Sequence, residues 1–583
     1  MSLLSRILLA LVTAFLSLSP LLQPVLHAQW SPDPNANLAV CDTTGSQELP
    51  KIASTSDGGC YISWFDTRGG GYKVYMQRLN ALGVKQWGTT GLLVSSNPQN
   101  SSLVDYDLIA DDSDCAIVVF TDIRNGNQIE PFAYRISPQG SFIWGPNGVA
   151  LSTSPSTFQP NPKVVETSEG NFVFTWIFSS TPRKVALQKL NAAGAKQWGV
   201  DPILLSGTGS ELLDYPSLAR SDSGSVILLM SGYTGSFLNP QNYRLYTQKF
   251  SPSGLPLWGT APDTVYALGR VSGFFVPKIF PDGNNGAFYV WQDDRNNTGS
   301  SFSYVQHVTS TDSMLFPANG TAGSTLPGRL HNDAWVAHTP ATGETYMFWY
   351  ETDALFQSSY GVYGQIFSST GTREWPDSGK AFRPFGGGQP SFVRCFAKDS
   401  TAVAFYFDGV TVTQNLVKGF KVDRNGTMLW NGPIINVSSD PHGKGRLGGV
   451  LLSNGTSLLT WSDNRADGNG VYAQNVNFDG TLGNVTGVGT PPSSKPSTYQ
   501  LQQNYPNPFN PGTTITYSLP TQTTVSLTVY DLLGRDVATL VQDEKPAGTY
   551  SVYFDASHLS SGIYFYTISA GSFSATRKLM LIK

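Results

Sequence analysis

From Trp30 to about residue 478 the apolar positions fall in short runs that end in an aromatic residue, then an acid, then often an arginine. The clear copies are Trp64-Phe-Asp66-Thr-Arg68, Phe120-Thr-Asp122-Ile-Arg124, Trp291-Gln-Asp293-Asp-Arg295 and Trp461-Ser-Asp463-Asn-Arg465. Weaker copies stand at Trp176, Met230, Trp349-Tyr-Glu351 and Tyr406-Phe-Asp408, which makes eight. A second phrase follows within most units: Tyr75-Met-Gln77, Tyr246-Thr-Gln248, Tyr304-Val-Gln306, Tyr363-Gly-Gln365 and Tyr472-Ala-Gln474, each leading into a turn. A third is a tryptophan beat through Trp30, Trp87, Trp144, Trp198, Trp258, Trp375 and Trp430, with Phe316 in the place between Trp258 and Trp375. The three keep a common period of about 54 to 60 residues. Each unit reads as a strand around the Trp, a strand entering the aromatic-acid pair and a strand carrying Tyr-x-Gln, with room for a fourth in a Pro-containing gap.

Three or four antiparallel strands per period predict one propeller blade, because a single such sheet cannot bury both faces and must stack on its neighbours. The first unit opens on Trp30, while the last ends after Gln474 with no Trp strand behind it. Closure of a ring by Trp30–Val40 completing the sheet that Val471–Phe478 leaves open would remove the exposed edges. Eight blades is the count, or seven if one weak unit is an insertion.

Beyond residue 486 the rhythm changes. Residues 487–498 are rich in Gly, Pro, Ser and Thr and read as a linker. Alternating runs then follow at Thr514–Leu519, Val525–Tyr530, Tyr550–Phe554, Ile563–Ser569 and Ala575–Ile582, with turn signals at Asp531–Gly534 and Ser560–Gly562. They predict a small Ig-like β-sandwich over 499–583. At the other end, Arg6 precedes an apolar run, Ile7–Leu18, and Leu26-His27-Ala28 offers a cleavage site, so residues 1–28 read as a signal peptide. That run is too short to span a bilayer as a helix. The fold class expected is all-β: a multi-bladed propeller of about eight blades over 29–486, then the sandwich.

Composition sharpens this picture. Charged residues are 13% and aromatic residues 12% of 583, with 59 Gly and 37 Pro, a balance suited to many short strands and turns. A formal net charge of −4 leaves no basic excess for nucleic acid. Cys41, Cys60, Cys115 and Cys395 fit no zinc spacing; one or two disulfides or buried thiols are both open.

The C-terminal motifs carry a resemblance. Tyr505-Pro-Asn-Pro-Phe-Asn-Pro511, Val529-Tyr-Asp-Leu-Leu-Gly-Arg535, Gly548-Thr-Tyr550, Phe554-Asp-Ala-Ser557, Ser561-Gly-Ile-Tyr-Phe-Tyr566 and Arg577–Lys583 resemble the type A sorting domain of the type IX secretion system. The resemblance implies export to the periplasm and recognition by sorting machinery at the outer membrane. It further implies an extracellular or cell-surface destination, with the domain usually removed.

Chemistry is harder to find. His331 and His338 stand seven apart with no HExxH, no G-x-S-x-G elbow occurs, and Gly443-Lys-Gly-Arg-Leu-Gly448 lacks the helix that a phosphate-binding turn needs. The candidate binding residues are the repeated pairs Asp66/Arg68, Asp122/Arg124, Asp293/Arg295 and Asp463/Arg465, which could converge on an axis to meet a sugar or cation. A set that recurs in four units more readily serves each blade alike, with Asp at turn amides and Arg pairing or stacking. Binding more often lies where repeats differ, which points to the inserts 233–243, 353–359 and 385–389. No cofactor is called for, structural calcium being left open. The expectation is a non-enzymatic surface or secreted binding protein for a glycan or protein, with a polysaccharide hydrolase or lyase as the alternative.

Overall fold

The computed structural model describes residues 30–484 and 499–582, apart from 100–104, 126–128, 155–156, 237–238, 270, 272–274, 296–298, 412, 466–467, 505–506 and 546–547. The expected signal peptide, the expected linker and Tyr505-Pro506 lie outside the described residues. The chain forms two compact units, Met1–Asn484 and Val485–Lys583.

The first unit is a ring of eight four-stranded antiparallel sheets. Seven use consecutive strands; blade 1, for example, is Gln47–Ser54, Cys60–Asp66, Tyr72–Leu79 and Leu92–Gln99. Blades 2 to 7 span residues 107–150, 163–205, 212–266, 278–322, 329–386 and 390–438. Blade 8 takes Lys444–Leu451, Ser457–Asp463 and Gly470–Val476 from the end of the unit and Leu38–Cys41 from its start. Leu38 faces Ala473 and Ala39 faces Tyr472 in this closing pair. The β-propeller with about eight blades, zipped beginning to end, is therefore the observed architecture.

The second strand of each blade is its most apolar: Cys60–Asp66, Ala116–Asp122, Ala287–Asp293 and Ser457–Asp463 are buried at every position. Continuous burial is what a strand sandwiched between two neighbouring blades requires. Trp64, Trp176, Trp349 and Trp461 are among the largest side chains removed from water. Cys41, Cys60, Cys115 and Cys395 are all free thiols and all buried, so no disulfide staples the ring.

The tryptophan beat plays a different part from the one its spacing suggests. Trp87 and its equivalents do not sit in strands; each follows an isolated bridge such as Leu79↔Lys85 or Leu190↔Lys196 and occupies the turn before the outer strand. In five blades a Gln of the third strand holds the aromatic in this turn; Trp144 and Trp430 take the same place with Tyr134 and Phe420 at the Gln position. Gln77 accepts the Trp87 backbone N–H (2.8 Å) and donates to the Gly88 carbonyl (2.8 Å). The same clamp recurs at Gln188, Gln248, Gln306 and Gln365. Released from pairing, each indole reaches the next blade and donates Nε1–H to a turn carbonyl there. Trp87 reaches Pro138, Trp144 Ala192, Trp198 Pro252, Trp258 Ser310, Trp375 Arg424 and Trp430 Phe478, at 2.9–3.4 Å. Trp30 reaches Ala81 at 3.0 Å, so the same latch closes the ring. Phe316 lacks the N–H but fills its place against Gly371, where a Cβ would meet its ring at 2.5 Å.

In the second unit, strands Gln500–Leu501, Gly512–Leu519 and Gly548–Asp555 form one sheet. Thr523–Tyr530, Asp536–Lys545, Gly562–Ala570 and Phe573–Leu581 form the other. Ile515, Tyr517, Val525, Leu527, Tyr566 and Ile568 are buried in their common core. The alternation reading recovers five of these seven strands. It misses Asp536–Lys545, most of whose residues are partly or fully exposed, and the two-residue Gln500–Leu501. Asn507-Pro-Phe509 anchors the last strand: Phe509 N–H donates to Met580 O (2.9 Å), and the Asn507 side-chain carbonyl accepts the Met580 N–H (2.8 Å).

Candidate functional site

The Asp/Arg pairs belong each to its own blade. Asp66, Asp122, Asp293 and Asp463 have side chains with no exposure. Trp64 Nε1–H donates to Asp66 (2.8 Å), Trp291 to Asp293 (2.7 Å) and Trp461 to Asp463 (3.1 Å). Each Asp, Asp122 included, also accepts through Oδ1 the backbone N–H two residues on, that of Arg68, Arg124, Arg295 or Arg465 in the hairpin turn, at 2.9–3.1 Å. Each guanidinium then pairs with its Asp and lies over an aromatic of the third strand: Arg68 over Tyr75 (4.1 Å), Arg124 over Phe132 (3.6 Å), Arg295 over Tyr304 (3.5 Å) and Arg465 over Tyr472 (4.1 Å). The arrangement pins the hairpin, and it consumes the carboxylate oxygens.

Weak copies use substitutes. Trp176 donates to Gln159 (2.9 Å), and Trp349 to Glu351 (3.0 Å). Around Glu351 stand His331 (3.5 Å) and Arg329 (3.7 Å). Burial pushes the Glu351 carboxyl up to about 7, against the Trp349 bond and the Arg329 charge. Burial, aided by Arg329, lowers His331 to about 3. His331 is thus a neutral core residue, and among the described residues no group of three or more His, Cys, Asp or Glu side chains could hold a metal ion.

Variation gathers instead around the axis. Successive strands in a blade run antiparallel, so the hairpins joining second and third strands share one face with the connections into the next blade. The regular first-to-second turns and the Trp turns lie on the other. The inserts at 233–243, 353–359 and 385–389 all fall on the first face. There Tyr233 stacks on Tyr243 with centroids 5.6 Å apart, and the Arg329 guanidinium lies 3.7 Å over Phe385. The Asp353 carboxylate accepts backbone N–H groups from Phe356, Gln357, Ser358 and Ser359 at 2.6–2.9 Å, fixing a loop that exposes Leu355 and Phe356.

The innermost strand of each blade starts at this face. Register against the second strand puts Lys51, Asp107, Lys163, Ser217, Lys278, Trp335, Arg394 and Gly448 at one equivalent position in blades 1 to 8. Two residues earlier stand Leu49, Asp105, Asn161, Tyr215, Val276, Asp333, Phe392 and Arg446. Six of these have positive φ without being glycine: Leu49, Asn161, Tyr215, Asp333, Phe392 and Arg446, at 46–59°. Five lie in bulges of the inner ladder. Such backbone costs about 1–3 kcal/mol per residue, and bulges re-aim side chains next to sites.

These inner strands meet around the axis. Asp105 of the blade 1–2 connection pairs with Lys51 of blade 1 (2.7 Å) and with Lys163 of blade 3. Asp333 of blade 6 pairs with Lys278 of blade 5 (2.8 Å) and Arg394 of blade 7 (3.2 Å). Toward the opposite face Arg220 of blade 4 reaches Asp112 of blade 2 at 3.4 Å, past blade 3, which only axial strands can do. The Asp105 side chain is 43% accessible to water yet ringed by protein, as in a narrow hydrated channel. Burial opposes its charge, but Lys163 and Lys51 outweigh burial and hold the carboxyl well below the usual range. Burial raises Asp107 and lowers Lys51 and Lys278, and Asp333 partly offsets the effect at Lys278. Trp335 lies between Lys278 (5.5 Å) and Arg394 (4.2 Å).

Comparison of the repeats does not single out the residues of the axial mouth. Their trace in the sequence is a recurring x-Pro-x phrase: Leu49-Pro50-Lys51, Asn161-Pro162-Lys163, Tyr215-Pro216-Ser217 and Val276-Pro277-Lys278. Gly443–Gly448 leads into the inner strand of blade 8, Lys444–Leu451.

No curated protein matches this chain. Among solved structures, an ulvan lyase of a new polysaccharide lyase family is 9% identical, with 76% of this chain and 96% of that one covered and a TM-score of 0.41. The polysaccharide lyase Uly1 is 10% identical over 74% and 90%, with a TM-score of 0.38. An endo-arabinase from Bacteroides thetaiotaomicron is 14% identical over 46% and 96%, with a TM-score of 0.27. These likenesses are too distant to transfer an activity. Residues 503–583, in contrast, match the family described as the secretion system C-terminal sorting domain. The chain is a β-propeller protein exported by the type IX system, and its last domain is the sorting signal.

Proposed function

We propose that this is a non-catalytic binding protein of the cell surface or the extracellular medium that takes its ligand, a glycan or a protein, at the axial mouth. One observation carries the reading. The Trp latch recurs in seven blades, the Gln clamp in five and the Asp/Arg pin in four with the same partners each time, whereas one inner-strand position at the axis reads Lys, Asp, Lys, Ser, Lys, Trp, Arg and Gly from blade 1 to blade 8. Repetition serves the scaffold; divergence at one accessible place on a rigid ring serves recognition. In this reading residues 1–28 are removed after Ala28, 29–486 form the delivered domain, 487–498 form the linker, and 499–583 are read by the outer-membrane sorting machinery. Asp66, Asp122, Asp293 and Asp463 with their arginines hold the blades and do not touch the ligand.

The alternative, a polysaccharide hydrolase or lyase, draws on Asp107, whose raised carboxyl resembles a general acid. Its partner is wanting: Asp105 is neutralised by two lysines, and Asp333 by Lys278 and Arg394. The purified chain is expected to retain an acidic polysaccharide without generating new chain ends. Sustained shortening of the polymer, lost on Asp107→Asn, would replace binding by catalysis. Deleting 499–583 is expected to leave the propeller in the periplasm; its continued appearance outside the cell would remove the sorting role.

A further inference from the structure

We infer that the mouth is a two-point anion site, in which the triads Lys51–Asp105–Lys163 and Lys278–Asp333–Arg394 together hold an acidic glycan chain by two of its acid groups. The inference rests on the mouth being the binding surface and adds the class of ligand.

The two triads are copies of one arrangement half a ring apart. Blades 1 and 5 both contribute an apolar residue, then Pro, then Lys: Leu49-Pro50-Lys51 and Val276-Pro277-Lys278. Asp105 and Asp333 hold the same position four blades apart, and so do Lys163 and Arg394. In an eight-bladed ring, four blades is the opposite wall. Blades 4 and 8 carry no such bridge at these positions, with Tyr215/Ser217 and Arg446/Gly448 there instead. The ring therefore does not need these ion pairs to close.

Each triad sets two cations around one carboxylate and keeps a formal excess of one positive charge. The carboxylate fixes the cations' heads without using all their donors. Lys51 and Lys163 each bond Asp105, and an ammonium has three N–H groups. Lys278 bonds Asp333 and the Ala334 carbonyl (3.0 Å). Arg394 commits Nη1 to Asp333 and the Val393 carbonyl (2.6 Å), with its plane over Trp335. Nη2 and Nε of that guanidinium suit a carboxylate or sulfate edge. Arg446, exposed and 6.0 Å over Phe392, adds a further cation between the triads. Asp107, which accepts the Val164 N–H (3.0 Å), lies beside the first triad and makes it the weaker point. A single small acid would engage one triad; a chain bearing an acid on successive sugars can engage both and gain effective concentration.

The test is calorimetric titration of the full chain with polygalacturonate, dextran sulfate and monomeric galacturonate. Polygalacturonate is expected to bind at least about a hundredfold more tightly than the monomer. Dextran sulfate binding better than polygalacturonate would assign sulfate as the preferred acid. Lys278→Gln/Arg394→Gln should weaken the polymer more than Lys51→Gln/Lys163→Gln, and all four together should abolish binding. Since glutamines could loosen the ring, Asp105→Asn and Asp333→Asn are made as well; each raises the local charge and should tighten the polymer about threefold or more. Equal affinity for monomer and polymer, or no tightening in either Asn variant, would overturn the two-point site. If Trp335→Ala and Tyr215→Ala still weaken the polymer, the mouth survives as the binding surface. No binding of either polyanion, or binding untouched by every variant, would overturn both.

Discussion

Trp30→Ala is expected to destabilise the propeller by about 3–5 kcal/mol, the usual cost of truncating a buried tryptophan. Its ring is only 2% exposed, it packs on Gly83, and its Nε1–H is one of seven latches between neighbouring blades. The Trp30 latch spans 51 residues, as the Trp87 latch does, but it sits at the seam: its segment also supplies Leu38–Cys41 to blade 8, whose other three strands come from the end of the unit. In a closed ring its loss should cost at least as much as that of Trp198, measured by urea unfolding of the full chain under one protocol. A Trp30 variant that unfolds like the native chain, beside a damaged Trp198 variant, would mean that the seam bears no stability.

The second large effect is expected at Asp463. This carboxylate accepts the Trp461 indole N–H and pairs with Arg465, and it also faces Lys444 at 3.0 Å, whose side chain has no exposure. Burial opposes the aspartate's charge, yet Arg465 and Lys444 outweigh it and hold the carboxyl below its ordinary value. Asp463→Ala strands two cations, one fully buried, and should cost at least about 3–5 kcal/mol. Asp122→Ala strands only Arg124, which retains the Tyr134 hydroxyl (2.8 Å) and the Asn147 carbonyl, and should cost less. Differential scanning calorimetry of the two variants ranks them directly; the reverse order would show that Lys444 is satisfied by the Asp440 and His442 carbonyls alone.

Much of this architecture could be read from spacing. A blade must present a continuously buried second strand and a hairpin pin, and both leave a regular mark: Trp64, Trp291 and Trp461, each with its acid two residues on. What spacing could not reveal is direction. Trp87 carries the same apolar signal whether it sits in a strand or swings out of one; Gln77 holds it in the turn through bonds that a hydrophobic pattern does not show, and Trp144 and Trp430 swing out without such a Gln. The axial residues were hidden for a related reason. Lys51, Asp107 and Trp335 are structurally equivalent but chemically unlike, so comparing repeats by similarity discards them; only strand register lines them up. The Asp/Arg pairs stand out in the sequence because they recur in four blades, and recurrence marks what the blade itself needs.

The mouth can be tested without prior choice of variants. Lysines of the full chain would be acetylated with and without saturating polygalacturonate and the extent read residue by residue by mass spectrometry. Protection is expected at Lys51, Lys163 and Lys278, with no change at Lys85 and Lys196, which bond turn carbonyls on the opposite face. Protection of Lys85 and Lys196, with the three axial lysines reacting as freely as before, would place the ligand elsewhere and contradict the account.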